Sequence, residues 1–279
     1  MIQDVKNLKQ RLFTSLLIIP LFIVPILIGG YIYQFFLIFL STLIFYELSL
    51  ITKYDNKQNS IILYVLFLVI SLILLKYFSY QICLYLCFLF SIIIFLINKF
   101  KSNNAWLSFN LITSYLPFLI LLAIRDESNF SNGLVLTFLL IIIAVISDVS
   151  GYFGGQFFGK KKIFPYISPN KTLEGTFFAL FMPSVIILPI MILANLKLQI
   201  HLAFLIIILM SVGAIFGDLG ASFIKRNFGV KNSSNILPGH GGVIDRLDSI
   251  IGSSVVLMVL IFIFHISGLD GIQLIEFEK

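Results

Sequence analysis

The sequence predicts an all-α polytopic integral membrane protein with about nine transmembrane helices and a polar site that faces the cytoplasm. Apolar residues make up 59% of the 279-residue chain. Charged residues make up only 11%, against about 25% in an average soluble domain. Apolar runs close to the length that crosses a bilayer, about 20 residues, recur from the first third of the chain to the last. A water-soluble fold of this size could not cover its surface with so few charges.

Nine apolar segments are candidates for membrane-spanning helices. The first follows three basic residues, as a signal peptide would, but it is long for a signal core and no small-residue cleavage site follows it. We therefore expect it to be a retained span. The nine predicted spans are Leu12–Gly30, Tyr31–Ile51, Ile61–Tyr77, Gln81–Ile97, Trp106–Ile124, Leu134–Ser150, Phe177–Ala194, Leu202–Ala221 and Ile250–Ser267.

The distribution of basic residues predicts the orientation of the spans. Of the 19 Lys and Arg residues, 15 lie in the N-terminus and in the loops that a nine-span chain places on the same side. Cytoplasmic loops carry such an excess, so the N-terminus is expected in the cytoplasm and the C-terminus on the opposite side, in a bacterial inner membrane. The net charge of +6 is thereby explained by topology, and no nucleic-acid partner is expected.

The organisation along the chain predicts two regions. Residues 1–133 would form five membrane helices, and residues 134–279 a catalytic membrane region. Two long cytoplasmic loops, 151–176 and 222–249, would carry most of the residues suited to chemistry. Cys83 and Cys87 lie in an apolar run without a neighbouring His and are expected to be small buried hydrophobic residues.

Acidic residues near the ends of spans are candidates for function, because a carboxylate in the bilayer centre costs about 2.5–3.5 kcal/mol even on insertion scales. Glu47, Asp148 and Asp218 fall near the same membrane face. For Glu47, a hydrated interfacial acid and a functional acid are equally good interpretations.

The stretch around Asp218 predicts a polar stripe. Asp218, Ser222 and Lys225 are spaced i, i+4 and i+7, which places them on one side of a continuing helix. Arg226 lies beside them at the membrane edge. A deep carboxylate with shallow cations is suited to a metal ion and then a phosphate.

A glycine-rich segment and two further acids follow this stripe. Gly239, Gly241 and Gly242 allow close backbone approach and could form an anion-binding nest, with His240 beside them. Asp245 and Asp248 are spaced i, i+3, so one helical face can offer two carboxylates. Asp248 could instead be an N-cap or first-turn acid.

The loop after the sixth span supplies more polar groups. Lys160, Lys161 and Lys162 form a basic cluster that would orient the chain and attract anionic lipid. Ser168 and Lys171 could contact a phosphate, and Thr172 is placed to cap a helix. With carboxylates, no cysteine ligands and one nearby His, the hard cation Mg²⁺ is the expected metal, with a second cation left open. Such a site suits phosphoryl or nucleotidyl transfer.

The motifs resemble the signature of the phosphatidate cytidylyltransferases, also called CDP-diacylglycerol synthases. That signature is S-x-x-K-R, then K-D, L-P, x-H-G-G and x-x-D-R-x-D. Further upstream, Asp148-x-x-x-Tyr152 and the stretch from Ser168 to Gly175 are similar to the same family. The residues that match the signature in register are Ser222, Lys225, Arg226, Lys231, Leu237, Pro238, His240, Gly241, Gly242, Asp245, Arg246 and Asp248.

The resemblance implies transfer of CMP from CTP to phosphatidic acid, giving CDP-diacylglycerol and pyrophosphate. It implies catalytic roles for Asp148, Asp218, Asp245, Lys225 and Arg226. Mg²⁺ would be held by Asp218, Asp245 and Asp248. The substrates would be bound by Ser168, Lys171, Ser222, Lys231, Gly239, His240, Gly241, Gly242 and Arg246.

Other functions remain open at this stage. A CTP-dependent kinase or a cytidylyltransferase could use the same groups on a polyprenol or an archaeal lipid. A cation-coupled transporter is disfavoured, because the polar residues cluster at one face and no paired interrupted helices are evident. Asn232 departs from the signature, which has Asp there, so one contact loses its charge. Both a monomer and a homodimer are compatible with the sequence.

Overall fold

A computed structural model of the chain describes residues 16, 19–53, 57–78, 80–101, 106–125, 133–194, 200–237 and 241–266. Within these ranges the protein is built from helices, with two isolated β-bridges and no strand. The all-α fold class is confirmed. The helices are α1 (Ile19–Ile28), α2 (Gly30–Ile51), α3 (Lys57–Leu75), α4 (Tyr80–Lys101), α5 (Trp106–Arg125), α6 (Gly133–Phe158), α7 (Leu173–Leu193), α8 (Ile200–Asn227) and α9 (Ile244–Ile266).

The described helices account for all nine predicted spans. Seven of them contain apolar stretches of 18 residues or more with mean hydropathy between 1.8 and 2.5, enough to cross a bilayer. The two shorter apolar stretches are Ile19–Ile28 and Tyr80–Leu96. The chain is therefore a multi-pass membrane protein. The predicted start of the first span, Leu12 to Ser15, lies outside the described residues.

Three helices extend furthest beyond the bounds that the sequence predicts, and α7 also begins early, at Leu173 instead of Phe177. Helix α6 ends at Phe158 instead of Ser150, α8 ends at Asn227 instead of Ala221, and α9 begins at Ile244 instead of Ile250. The predicted loops 151–176 and 222–249 therefore shrink to 159–172 and 228–243. A prediction from hydropathy ends a span at the first polar residue. The helix itself can continue past that residue, because it satisfies its own backbone hydrogen bonds. Many predicted loop residues consequently lie on helix ends.

The chain forms two compact units. The first combines Met1–Leu122 with Asn227–Arg246, and the second combines Ala123–Arg226 with Leu247–Lys279. The predicted division of function at residues 133 and 134 stays a prediction.

The core of the first unit contains both large apolar side chains and paired hydroxyl groups. Ser41 Oγ lies 2.5 Å from Tyr64 Oη, and Ser71 Oγ lies 2.5 Å from Tyr115 Oη. Such pairing removes the penalty of burying a hydroxyl group. Cys83 and Cys87 are buried and free, so the interpretation of these two residues as small buried hydrophobic groups is confirmed.

Close helix packing organises the second unit. A Cβ atom at Gly175 of α7 would lie 2.7 Å from the carbonyl oxygen of Gly151 in α6. A Cβ atom at Gly217 of α8 would collide with the carbonyl oxygen of Asp248 in α9. Small residues at such crossings let membrane helices approach closely. The packing of α8 on α9 places Asp218 and Asp248 in neighbouring turns of two helices.

Candidate functional site

Three carboxylates of the second unit, each on a different helix, lie close enough for their charges to interact. Asp148 belongs to α6, Asp218 to α8 and Asp248 to α9, and the charges of Asp218 and Asp148 act on Asp248. We call these three residues the acidic cluster. Asp248 is 9% exposed, while Asp148 is exposed and Asp218 is half-buried. The cluster thus has one buried member and two that are accessible to solvent.

Serine and backbone groups orient the acidic cluster. Ser249 Oγ donates to Asp148 Oδ1 at 2.6 Å. The backbone N–H of Ser249 donates to Asp248 Oδ1 at 2.9 Å. Ser249 of α9 therefore holds one carboxylate oxygen of Asp148 and one of Asp248. Ser249 was not expected to act at the site, since its role depends on packing between α6 and α9.

Lys171 supplies the main opposing charge. Its Nζ atom lies 2.5 Å from Asp218 Oδ2, with side-chain exposures of 22% for Lys171 and 32% for Asp218. The charge of Lys171 also acts on Asp148, and that of Lys225 acts on Asp248. The two lysines therefore offset part of the negative charge of the acidic cluster.

The segment between α6 and α7 positions Lys171 through its own hydrogen bonds. Thr172 Oγ1 accepts from the backbone N–H of Gly175 at 3.1 Å, which confirms that Thr172 caps α7. Thr172 also forms a β-bridge with Lys162. Glu174 Oε2 accepts from the backbone N–H groups of Lys160 at 2.9 Å and Lys161 at 3.3 Å. Lys171 therefore projects from a folded turn.

Asp245 of the first unit holds the segment that precedes α9. We call the described residues 228–237 and 241–243 the signature loop. Asp245 Oδ2 accepts from Ser233 N at 2.9 Å and from Gly242 N at 3.0 Å, and Ser233 Oγ lies 3.1 Å from the same oxygen. A first-turn acid that reaches back to an amide before its helix resembles a capping box. Gly241, with φ of +85°, makes the required turn, because only glycine adopts this conformation readily.

Glu47 of α2 is an acid whose role the sequence left undecided. It is 0% exposed, so the interpretation as a hydrated interfacial acid is wrong. Its carboxylate accepts from the backbone N–H groups of Val243 and Ile244, both at 2.8 Å. Glu47 therefore caps the N-terminus of α9 from another helix. The signal available in the sequence was the cost of an acid inside an apolar span.

The structure places the remaining predicted site residues as follows. Ser222, Lys225 and Arg226 occupy the last turns of α8, where basic residues favour the helix C-terminus. Lys231 and Arg246 are exposed residues of the first unit, and Ser168 is half-buried in the second. Gly239 and His240 lie outside the described residues.

The predicted metal ligands are distributed between the two units. Asp218 and Asp248 belong to the second unit and Asp245 to the first. The expectation that Asp218 and Asp245 share one ion stays a prediction. Within the described ranges, no group of three or more His, Cys, Asp or Glu residues is arranged to hold a metal ion by itself.

Fold and site together define a polytopic membrane protein in which carboxylates from three helices lie beside two lysines. Residues 9–264 match the model of the cytidylyltransferase family. The chain therefore belongs to that family.

Similar proteins carry a more specific name. The chain is 42% identical over 134 residues to the phosphatidate cytidylyltransferase of Helicobacter pylori (strain J99), covering 48% of this chain and 50% of that protein. It is 41% identical over 119 residues to the phosphatidate cytidylyltransferase of Staphylococcus epidermidis (strain RP62A), covering 43% and 46%. The Staphylococcus aureus (strain COL) protein of that name is 38% identical over 119 residues, with the same coverage. The matched region thus spans about half the length of these relatives.

Proposed function

We propose that this protein is a phosphatidate cytidylyltransferase, which transfers CMP from CTP to phosphatidic acid and releases pyrophosphate. Family membership and the names of the relatives support the reaction. The single structural observation that supports it most directly is the acidic cluster with Lys171 paired to Asp218. Carboxylates and lysines at the end of membrane helices suit a reaction between a lipid phosphate and a water-soluble nucleotide.

The proposed chemistry needs little proton transfer. A phosphate oxygen of phosphatidic acid attacks the α-phosphorus of CTP, a new P–O bond forms, and the bond to the β-phosphate breaks to release pyrophosphate. The second ionisation of a phosphate monoester lies near pH 6, about one unit below neutral, so the nucleophile is already anionic. Positioning and charge neutralisation therefore dominate the barrier.

Lysines would supply the cationic contacts. Lys171 can exchange its ion pair with Asp218 for a substrate phosphate oxygen, since both partners are accessible. Lys225 lies near enough to Asp248 for their charges to interact and would neutralise charge on the same side of the unit. Arg226, Lys231 and Arg246 complete the proposed phosphate contacts.

The donor chemistry of the acidic cluster fits Mg²⁺. Its oxygen-only ligands match a hard cation that takes one or two carboxylates together with substrate phosphates. Asp218 and Asp248 would hold the ion, with Asp245 as the third proposed ligand and Asp148 beside them. When bound, Mg²⁺ would polarise the phosphoryl oxygens and offset the negative charge that develops on them. A second cation would act in the same way.

The decisive experiment follows the label of [α-³²P]CTP in purified protein supplied with phosphatidic acid, with and without Mg²⁺. The proposal expects label in the lipid and one pyrophosphate per labelled lipid. A lipid kinase would instead transfer the γ-phosphate and release CDP, leaving the α-label in water. Competition by polyprenol or archaeal ether lipid would identify another acceptor. Failure to label phosphatidic acid under all these conditions would overturn the proposal.

The proposal includes a topology. The N-terminus and the site would face the cytoplasm of a bacterial inner membrane and the C-terminus the opposite side, in agreement with the 15 of 19 basic residues on one face. A Lys161→Cys variant should react with an impermeant maleimide only when the reagent is on the cytoplasmic side. Cys83 and Cys87 are buried, so they should not add to the labelling. Labelling from the outside would show that the topology is the reverse of the one proposed.

A homodimer extends this proposal, and light scattering of the purified protein in detergent tests it.

A further inference from the structure

The carboxylate of Glu47 is fully engaged by the signature loop and by α9. Besides the two backbone amides of α9, it accepts two serine hydroxyls. Ser234 Oγ lies 2.5 Å from Oε1 and Ser233 Oγ lies 3.0 Å from Oε2. Each carboxylate oxygen thus receives one hydroxyl and one amide. The four donors all belong to the same unit as α2.

These hydrogen bonds explain how the Glu47 carboxylate can be buried in α2. An unpaired buried carboxylate would be very costly, but hydrogen bonds to a charged acceptor are among the stronger ones in proteins. The N-terminus of α9 adds the positive end of its dipole. In return, the carboxylate satisfies two of the amides that a helix leaves without an internal partner at its first turn.

The contacts of Glu47 continue to Asp245. The hydroxyl of Ser233 lies within hydrogen-bond distance of both Glu47 Oε2 and Asp245 Oδ2. Gly242 packs into the same space, because a Cβ atom there would lie 2.7 Å from each carboxylate oxygen of Glu47 and would collide with Ser233 Oγ. A shift of the Glu47 carboxylate would therefore displace groups that orient Asp245.

We propose that Glu47 is a positioning residue, which sets the orientation of Asp245 and of the signature loop without touching substrate. The proposal deepens the proposed function and rests on it, because Asp245 is taken there as a ligand of Mg²⁺. The role of Glu47 is indirect, since a side chain with 0% exposure is closed to a nucleotide. Groups that orient a metal ligand typically change metal affinity by about 10–100-fold when they are removed.

The first test compares Glu47→Gln with Ser49→Ala. Ser49 is equally buried in α2 but donates to Phe45 O within its own helix, at 2.8 Å, so it is a matched control. In Glu47→Gln, the backbone amides of Val243 and Ile244 should exchange hydrogen at least about tenfold faster in metal-free detergent. The reason is that the NH₂ group of Gln donates hydrogen bonds and cannot accept one. The Mg²⁺ concentration for half-maximal activity should rise about tenfold or more. Ser49→Ala should change neither quantity.

Ser233→Ala separates the bridge to Asp245 from the cap on α9, and it also keeps the proposal testable if Glu47→Gln fails to fold. This variant retains both amide contacts of Glu47, so exchange at Val243 and Ile244 should stay at the wild-type rate. The half-saturating Mg²⁺ concentration should still rise, by about threefold or more. Excess Mg²⁺ should restore turnover. A variant that lost activity because its fold was unstable would not recover in this way.

Two results would overturn the positioning role. One is an exchange rate at Val243 and Ile244 that is the same in Glu47→Gln as in Ser49→Ala. The other is faster exchange in Glu47→Gln together with an unchanged Mg²⁺ requirement in both Glu47→Gln and Ser233→Ala. That result would make Glu47 a helix cap alone. Failure of the wild-type chain to form lipid-linked CMP would refute the proposed function instead, and the metal-free exchange measurement would still decide whether Glu47 holds the loop.

Discussion

Lys171 Nζ forms an ion pair with Asp218 Oδ2 at 2.5 Å, joining the turn before α7 to α8. Both side chains are partly exposed, so the pair contributes little to stability by itself. The pair places a cation next to an acid that is proposed to hold Mg²⁺. Under the proposed function, Lys171 would exchange this acid for a substrate phosphate.

Replacement of Lys171 should impair catalysis more than folding. Lys171→Met should lower kcat/KM for CTP by about a hundredfold, since charge-assisted hydrogen bonds are worth about 1.5–3 kcal/mol. The melting temperature should change little, and Lys171→Arg should recover part of the activity. Lys161→Ala, in the neighbouring basic cluster, is the control and should remain within about twofold. A Lys171→Met enzyme with wild-type kcat/KM would remove Lys171 from the phosphate contacts.

Asp245→Asn tests the metal ligand on the first turn of α9. The Asn carbonyl oxygen can still accept from Ser233 and Gly242, so the signature loop should hold its shape. Mg²⁺-dependent turnover should fall by at least about a thousandfold, as for loss of a group that stabilises charge in the transition state. Size-exclusion chromatography and thermal unfolding should match the wild type. Near-normal activity would exclude Asp245 from the metal site.

The lengths of the helices show where sequence reasoning succeeds and where it stops. Apolar runs located all nine helices, because the bilayer demands long runs and each helix satisfies its own backbone. The ends of α6 and α8 were placed too early and the start of α9 too late, because polar residues such as Lys225 and Asp245 are stable on helix ends as well as in loops. The Thr172 cap was predictable, since its partner Gly175 is only three residues away.

The acids of the cluster could be proposed from the sequence, but their contacts could not. The cost of charge in a membrane singled out Asp148 and Asp218, and the i, i+3 spacing from Asp245 singled out Asp248. The partners of Glu47 lie 186 to 197 residues away in sequence. Nothing local distinguishes Ser233 or Ser249 from other serines, so only the packed structure identifies their roles.

Loss of the Thr172 cap should destabilise the turn that carries Lys171. Thr172→Ala should reduce the free energy of unfolding by about 1 kcal/mol and lower activity as Lys171 loses its fixed position. Thr172→Ser keeps the acceptor and should restore both. Thr113→Ala is the control, since its hydroxyl bonds within α5 to Phe109 O. The comparison uses thermal unfolding and initial rates, and equal behaviour of Ala and Ser at position 172 would contradict it.

Removal of divalent cations should stop the reaction reversibly. EDTA should abolish transfer from [α-³²P]CTP, and Mg²⁺ in excess of the chelator should restore it fully, because the acidic cluster supplies oxygen ligands of the kind that Mg²⁺ prefers. The Asp248→Asn variant should need a higher Mg²⁺ concentration than the wild type. Full turnover in EDTA would show that the lysines alone neutralise the phosphates.

A pair of glycine substitutions tests the crowding beneath the signature loop. A methyl group at Gly242 would meet Ser233 Oγ and both oxygens of Glu47, and overpacking of this kind costs about 1–3 kcal/mol. Gly242→Ala should therefore lower the melting temperature and cut activity at least about tenfold. Gly220→Ala lies in α8 with nothing within 4 Å of the new methyl group and should stabilise the helix by about 0.5–1 kcal/mol. If both variants behaved alike, the close packing of Gly242 against Glu47 would be wrong.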